Sequence, residues 1–248
     1  ALASSLSEAA SLLIVAVYAW VKVDGREFGL KPLYDKRLLV ELLRLSLWSM
    51  LHAFISVAPW FLFFVAIERL GEVQLAVSNI IRSVSTVFFV IVNSFAATTG
   101  ALVSNLIGAG ERRLLFPLCR KIVKLGYAIG FPLIVLAACF HRQIAGLYTD
   151  STRLIEMSAV PFIVMLFNYV FALPGYVYIN AVTGTGKTRT AFLFQLTTIA
   201  VYLAYLYLLS RYAGVPLAVY LMAEYLFVIL LAIPVSYTHL RAHETDSY

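Results

Sequence analysis

Ionisable side chains inside apolar stretches are where this chain could do chemistry. Glu8, Arg82 and Glu224 each interrupt a long apolar run. A charge in hydrocarbon is costly, so such groups face partners, water or a ligand rather than lipid. Taking Val73 and Val215 as outer helix ends, at about 1.5 Å per residue, Arg82 and Glu224 share a depth of roughly 14 Å, near mid-membrane. Opposite charges at one depth predict a pair. It is either a fixed salt bridge or a pair lining a cavity and disturbed by protonation or substrate. Amides at Asn79, Asn93, Asn105, Asn168, Asn180 and Gln195 lie in the same apolar runs. A buried amide must find a partner, so each is expected first as a link between helices. Trp60, Phe64, Tyr176 and Tyr178 could offer aromatic surface to a flat organic cation.

Other motifs resemble sites without the context that chemistry needs. Ala181–Thr188 reads AVTGTGKT, close to a phosphate-cradling loop. That loop needs a preceding buried strand and an acidic magnesium ligand. Here an apolar helix is expected on either side and no acid lies nearby, so a tight helix-to-helix turn is expected and nucleotide binding is not. His239, His243 and Glu244 form H-x-x-x-H-E, a spacing that puts two imidazoles one helical turn apart, as a metal site would. They fall within Val235–Thr245, VSYTHLRAHET, which resembles the translation of a transposase end plus sequencing-library adapter. Residues 235–248 are therefore expected to be a tail of foreign origin, to be set aside before reading function. His52 stands alone in an apolar run and is expected as a hydrogen-bonded core residue. Cys119 and Cys139 are expected as buried reduced thiols, too few for a disulfide framework. No Ser/His/Asp set shares a depth, so the chain is not expected to be an enzyme, and no cofactor or metal is expected.

The elements that must position these residues follow from composition. Of 248 residues, 62% are hydrophobic and 13% charged, and the mean hydropathy is +0.88. Soluble domains are nearer half apolar and a quarter charged, so lipid is the expected solvent. The net charge of +6 sits in short gaps between apolar runs, which argues against nucleic acid as partner. A membrane-crossing helix needs about 20 mostly apolar residues. Leu6–Val21, Leu39–Ile67, Val73–Gly108, Ile122–Phe140, Leu154–Val182, Thr190–Ser210 and Val215–Pro234 meet or approach that length. The chain starts inside an apolar segment without a basic leader, so its N-terminus is expected to be truncated. Small residues at Ala96, Gly100, Ser104 and Gly108 make a stripe that lets another helix approach closely. Pro59, Pro132, Pro161 and Pro174 each remove a backbone donor within an apolar run.

Basic residues set the expected orientation. Lys22–Arg37, Gly108–Lys124 and Gly184–Arg189 hold twelve Lys and Arg residues on one side, against four on the other: Arg69, Arg142, Arg153 and Arg211. The rich side is expected to face the cytoplasm. Glu8 and Glu224 each come early in a helix ending on that side, a pattern that an internal repeat would leave.

The run PWFLFFVAIERLG at Pro59–Gly71 with LAVSNIIRS at Leu75–Ser83 resembles the seventh-to-eighth helix junction of the multidrug and toxic compound extrusion (MATE) transporters. LVSNLIGAG at Leu102–Gly110, LYTD at Leu147–Asp150 and GTGKTRT at Gly184–Thr190 resemble the family at matching spacing. The resemblance implies an all-α polytopic membrane bundle: residues 1–21 as the last helix of an N-terminal lobe, 22–37 as the cytoplasmic interlobe loop, and 38–234 as a six-helix C-terminal lobe. It implies a twelve-helix antiporter exporting organic cations or amphipathic drugs in exchange for protons or sodium. Two lobes would rock around a central cavity in the inner (plasma) membrane. The partners implied are membrane lipid, the transported compounds and the missing N-terminal lobe. Asn79, Arg82, Asn168 and Glu224 are then the expected polar contributors to a substrate or cation site. Some members carry cation-binding acids in the seventh and tenth helices. The matching stretches, near Ser56 and Ala172–Pro174, have no carboxylate. Other members use an Asp in the first helix, outside this chain. The rival readings are a lipid-linked oligosaccharide flippase of the same fold group, an intramembrane enzyme and a structural bundle.

Overall fold

The structure is a computed structural model that describes residues 2–22, 34–212 and 214–238, with side chains described for 5–22, 34–212 and 214–232. His239, His243, Glu244 and most of the 22–37 loop lie outside the described residues, so the metal-like spacing has no structural counterpart to report. The described elements are helices: α1 (Leu2–Lys22), α2 (Lys36–Glu68), α3 (Glu72–Gly108), α4 (Leu115–Cys139), α5 (His141–Gly146), α6 (Thr152–Gly184), α7 (Thr188–Ser210) and α8 (Leu217–Thr238), with a single 3-10 turn at Arg112–Leu114. Six are long and apolar enough to cross a membrane, and the side-chain-described part of α8, Leu217–Ala232, is a shorter apolar helix. The seven expected spans thus correspond to α1–α4 and α6–α8. The short α5 falls within a stretch expected to be a connection, where HRQIAG closes one helical turn before the Leu147–Asp150 bend.

The chain divides into two compact units, Ala1–Leu43 and Arg44–Tyr248. In the first, α1 carries Leu12, Ile14 and Trp20 exposed on several sides of its C-terminal half. Asp35 starts α2: its carboxylate accepts the backbone N–H of Arg37 at 2.8 Å and of Leu38 at 3.2 Å. These are first-turn donors that the helix itself leaves unpaired.

In the second unit α6 is central. It packs on α3, α4, α5, α7 and α8. Lipid tails are as apolar as leucine, so close van der Waals packing and hydrogen bonds must hold such helices together. Small residues permit both here. A methyl group on Gly184 would sit 2.5 Å from the carbonyl oxygen of Gly100, and one on Gly175 would sit 2.8 Å from the carbonyl oxygen of Val228. Ser104 Oγ donates to the Gly184 carbonyl at 2.8 Å. The stripe Ala96–Gly100–Ser104 is therefore the seat of α6, while a methyl group on Gly108 would meet nothing within 4 Å. On the opposite flank Gly130 makes room for the Tyr169 ring, whose hydroxyl donates to Gly126 O at 2.9 Å. Tyr127 returns the bond to Val170 O.

Helices continue through Pro59, Pro132, Pro161 and Pro174. The α6–α7 turn closes through Thr185 N to Ala181 O at 3.1 Å and Gly186 N to Thr183 O at 2.9 Å. Gly186 has φ +82°, a left-handed conformation that glycine adopts without strain. The AVTGTGKT segment is thus the end of one helix, a turn and the start of another, as expected, with no strand before it. Cys119 is buried as expected, but Cys139 is exposed. It ends α4, whose outward side carries Phe131, Val135 and Leu136 in a lipid-compatible apolar surface.

Gly184→Ala should destabilise the bundle by about 1–3 kcal/mol, because backbone rather than a flexible side chain meets the added methyl. Gly108→Ala should leave stability unchanged or slightly raised. Thermal unfolding of the two variants in detergent, followed by intrinsic fluorescence, checks the contrast.

Candidate functional site

A cleft of about 690 Å³ opens between α2, α3, α6 and α7. Successive turns of α2 bring His52, Ser56, Trp60 and Phe64 to one face, as i, i+4 spacing requires. From α3 come Arg82, Phe89 and Asn93, from α6 Tyr176 and Asn180, and from α7 Gln195. Arg82 lies over the Phe64 ring, 5.0 Å from its centroid, and Phe64 meets Phe63 edge-on at 5.7 Å. Gln195, 1% exposed, donates from Nε2 to Ser56 Oγ at 2.9 Å, which ties α7 to α2. Ser56 in turn donates to His52 O at 2.7 Å. Asn180 spends its amide on Tyr176 O at 2.9 Å, within its own helix.

Behind the cleft lies a second cavity of about 50 Å³, lined by Asn168, Glu224, Tyr169 and Met165 among others. That is room for about two to four waters. Trp60, Phe89 and Tyr176 line both spaces and so stand between them. Phe89 and Tyr176 meet edge-on at 5.5 Å. Glu224 is 5% exposed, and its Oε1 lies 3.1 Å from the Tyr202 hydroxyl, which also lies 3.3 Å from Pro59 O. Asn168 is 7% exposed, and its Oδ1 is enclosed without a hydrogen-bond partner.

The expected pairing of Arg82 with Glu224 is not formed. Arg82 faces the cleft and stacks on Phe64, whereas Glu224 faces the inner cavity and bonds Tyr202. Equal depth does not imply a common azimuth. Arg82 lies on the cleft side of α3, and Glu224 lies on α8 beyond the aromatic wall. The four expected site residues thus divide. Arg82 lines the cleft, Asn168 and Glu224 line the inner cavity, and Asn79 is exposed and lines neither. Asn79 shares the face of α3 that carries Arg82 and Thr86, at i, i+3 and i+7 spacing, but lies one turn beyond the cleft lining. His52, expected as a hydrogen-bonded core residue, is half-buried and interacts with the Gln195 side chain. It borders the cleft beside Gln195 and leaves its Nε2 unpartnered. Tyr178 faces away from the cleft and stacks on Phe116 at 6.4 Å. Gln195 behaves as the expected helix-to-helix link. Asn168 does not, since its carbonyl oxygen has no partner. Tyr202 is a site residue that sequence reasoning does not find. A tyrosine at the depth of a buried carboxylate is a signal, but its partner lies on another helix. Among the described residues no group of three metal-capable side chains occurs.

The MatE family model matches residues 49–208. The chain belongs to the MatE family. It is similar in fold to a crystal structure of MATE in complex with MaL6, at a TM-score of 0.81 and 20% identity over 97% of this chain and 56% of that one. It is also similar to an outward-facing multidrug resistance MATE transporter of the MOP superfamily. A MOP superfamily transporter from Pyrococcus furiosus, described as having a binding pocket of reverse polarity that suggests a different function, is similar too. Each of these two has a TM-score of 0.70 and 14% identity, over 79% of this chain and 44% of the other. No curated protein sequence matches. The chain spans about half the length of the solved transporters it resembles. MatE proteins are transporters rather than enzymes, and this MatE chain is a multi-pass membrane protein. Its cleft and inner cavity both lie within the 49–208 match except for the α8 residues, Glu224 among them.

Removing the Tyr202 hydroxyl should expose how far this MatE bundle depends on it. Tyr202→Phe leaves the buried Glu224 without its donor and should cost about 1–3 kcal/mol. Glu224→Gln keeps an acceptor at the same atom and should cost less. Equal melting temperatures for wild type and Tyr202→Phe in detergent would show that the bond carries no stability.

Proposed function

We propose that this chain is part of a secondary transporter that exports amphipathic organic compounds across the inner (plasma) membrane in exchange for protons or sodium. The observation that supports this most is the adjacency of two unlike spaces. One is a wide aromatic and amide-lined cleft, large enough for a drug-sized ring system. The other is a small cavity with a carboxylate and an unpartnered amide oxygen, Glu224 and Asn168. A proton or a sodium ion suits the second space, because both take oxygen donors and both relieve a buried negative charge. An amphipathic substrate suits the first. Trp60, Phe89 and Tyr176 border both, so occupation of one space bears on the side chains that shape the other. That is the local coupling exchange needs. The two events need not be simultaneous. They need only favour different arrangements of the same aromatic wall.

The wider mechanism in this reading is alternating access by two lobes, with the described six-helix block of α2–α4 and α6–α8 as one of them and the basic helix ends on the cytoplasmic side. A flippase for lipid-linked oligosaccharides fits less well, since a pyrophosphate-bearing lipid calls for several cations and the cleft offers Arg82 alone among its described lining residues.

Efflux from proteoliposomes is the test, using the complete protein encoded by this chain together with its flanking coding sequence. A fluorescent amphipathic dye should leave under an imposed proton or sodium gradient and stop when the gradient collapses. Glu224→Gln should lower the gradient-driven rate at least about tenfold, as loss of a group that carries the coupling ion requires. Efflux indifferent to both gradients, or wild-type efflux from a normally inserted Glu224→Gln protein, rejects the reading.

A further inference from the structure

We propose that the cleft selects amphipathic aromatic compounds carrying an acidic group, with the Arg82 guanidinium as the anion-recognising element. This rests on the reading of the cleft as a substrate site and deepens it by naming the charge of the substrate.

From α2, α6 and α7 the lining side chains are neutral or, at His52, able only to gain positive charge; from α3 comes Arg82. Among the described residues that line the cleft, none carries a carboxylate. Glu224 is behind the Trp60–Phe89–Tyr176 wall, 5% exposed, with Tyr202 on its Oε1. It therefore does not neutralise Arg82. An organic cation entering the cleft would meet a fixed like charge and no compensating acid, which disfavours it.

Arg82 is also prepared for an anion. Its guanidinium lies over the Phe64 ring at 5.0 Å, which orients the planar group through one face and leaves its edge N–H donors for another partner. Arginine is suited to this because it stacks with its plane and donates with its edge, so a carboxylate or sulfonate can accept two parallel hydrogen bonds. Around it Trp60, Phe61 and Phe89 provide flat apolar surface for the rest of the molecule, and Asn93 and Asn180 can bond neutral polar substituents.

A matched pair of probes decides the matter: naphthalenesulfonate and naphthyltrimethylammonium share a ring system and differ in the sign of charge. Binding would be measured by calorimetry on the complete protein used for efflux, in zwitterionic-lipid nanodiscs. Wild type should bind the sulfonate at least about tenfold more tightly than the ammonium probe, the equivalent of one charge-assisted hydrogen bond. Arg82→Gln should remove that preference and Arg82→Lys should restore part of it. Equal affinities in the wild type, or a preference for the ammonium probe, overturn the proposal whether or not the variants fold. Loss of sulfonate binding when phosphatidylglycerol is added to the discs also overturns it, because a lipid headgroup rather than a free aromatic anion would then be the occupant of Arg82. Failure of the exporter reading is distinct: it would appear as absent gradient-driven efflux with the probe preference intact.

Discussion

Everything in the larger unit hangs on how closely α6 can approach its neighbours. In water, helices associate because burying apolar surface is favourable by itself. In lipid that difference largely disappears, and contact must come from interlocking shape and satisfied hydrogen bonds. At Gly100 and Gly184 the backbones of α3 and α6 meet with no space for a side chain on Gly184 and only a tight 3.3 Å approach to Asn180 O for one on Gly100, and Ser104 bonds across the same point. At Gly175 the backbone of α6 meets that of α8. At Gly126 and Gly130, α4 receives the side chains of Leu173 and Tyr169. One helix is thus gripped on three flanks by glycines, two of its own and several of its partners. The cleft is what remains on the fourth, where large aromatic residues of α2 and α3 replace small ones.

Hydroxyl groups complete the structure without leaving polar atoms toward lipid. Ser85, Ser94, Thr98 and Thr99 return their protons to the carbonyl one turn back in α3. This bonding is neutral to slightly unfavourable for helix stability in water, yet in hydrocarbon it satisfies a donor that would otherwise have none. The atoms left without partners are therefore informative. His52 Nε2 borders the cleft and Asn168 Oδ1 borders the inner cavity, while Ser78 Oγ lies in the packed interior. The first two mark the spaces where the bundle does not close on itself.

The membrane helices were legible because apolar run length and the charged or glycine-bearing breaks between runs are one-dimensional properties. The bounds of α2, α3, α6 and α7 lie within a few residues of the runs that announce them. The small-residue stripe on α3 was legible for the same reason, since i, i+4 spacing is a property of a single helix. What was not legible was azimuth between helices. Depth can be counted along a chain, but the direction a side chain faces depends on which helices flank it. Arg82 and Glu224 agree in depth and diverge in direction, which is why the expected pair is absent. Tyr178 misses the cleft on the same ground, while Asn79 misses it by depth, one turn beyond the lining, and Trp60, Phe64 and Tyr176 line it. The neutral pocket-facing amides gave no signal that separates a linking amide, Gln195, from an unsatisfied one, Asn168.

The separation of Arg82 from Glu224 is more useful to a transporter than their union would be. A desolvated ion pair with good geometry satisfies both partners and is strongly destabilised when either is removed. Such a pair would have little to gain from a ligand. Here each ionisable group meets a neutral one instead, Arg82 the face of Phe64 and Glu224 the hydroxyl of Tyr202. An aromatic ring or a single hydroxyl compensates a charge only in part. Each therefore retains an unmet preference of opposite sign, one open to the cleft and one held in the inner cavity. Under the proposed reading the first is met by the acid group of a substrate and the second by a proton or sodium ion. The wall that keeps them apart prevents the protein from settling the two charges against each other. It is made of three rings that can re-pack without breaking a hydrogen bond of the backbone. Exchange needs that combination: two sites that want different partners, and a soft element between them whose packing each partner can alter.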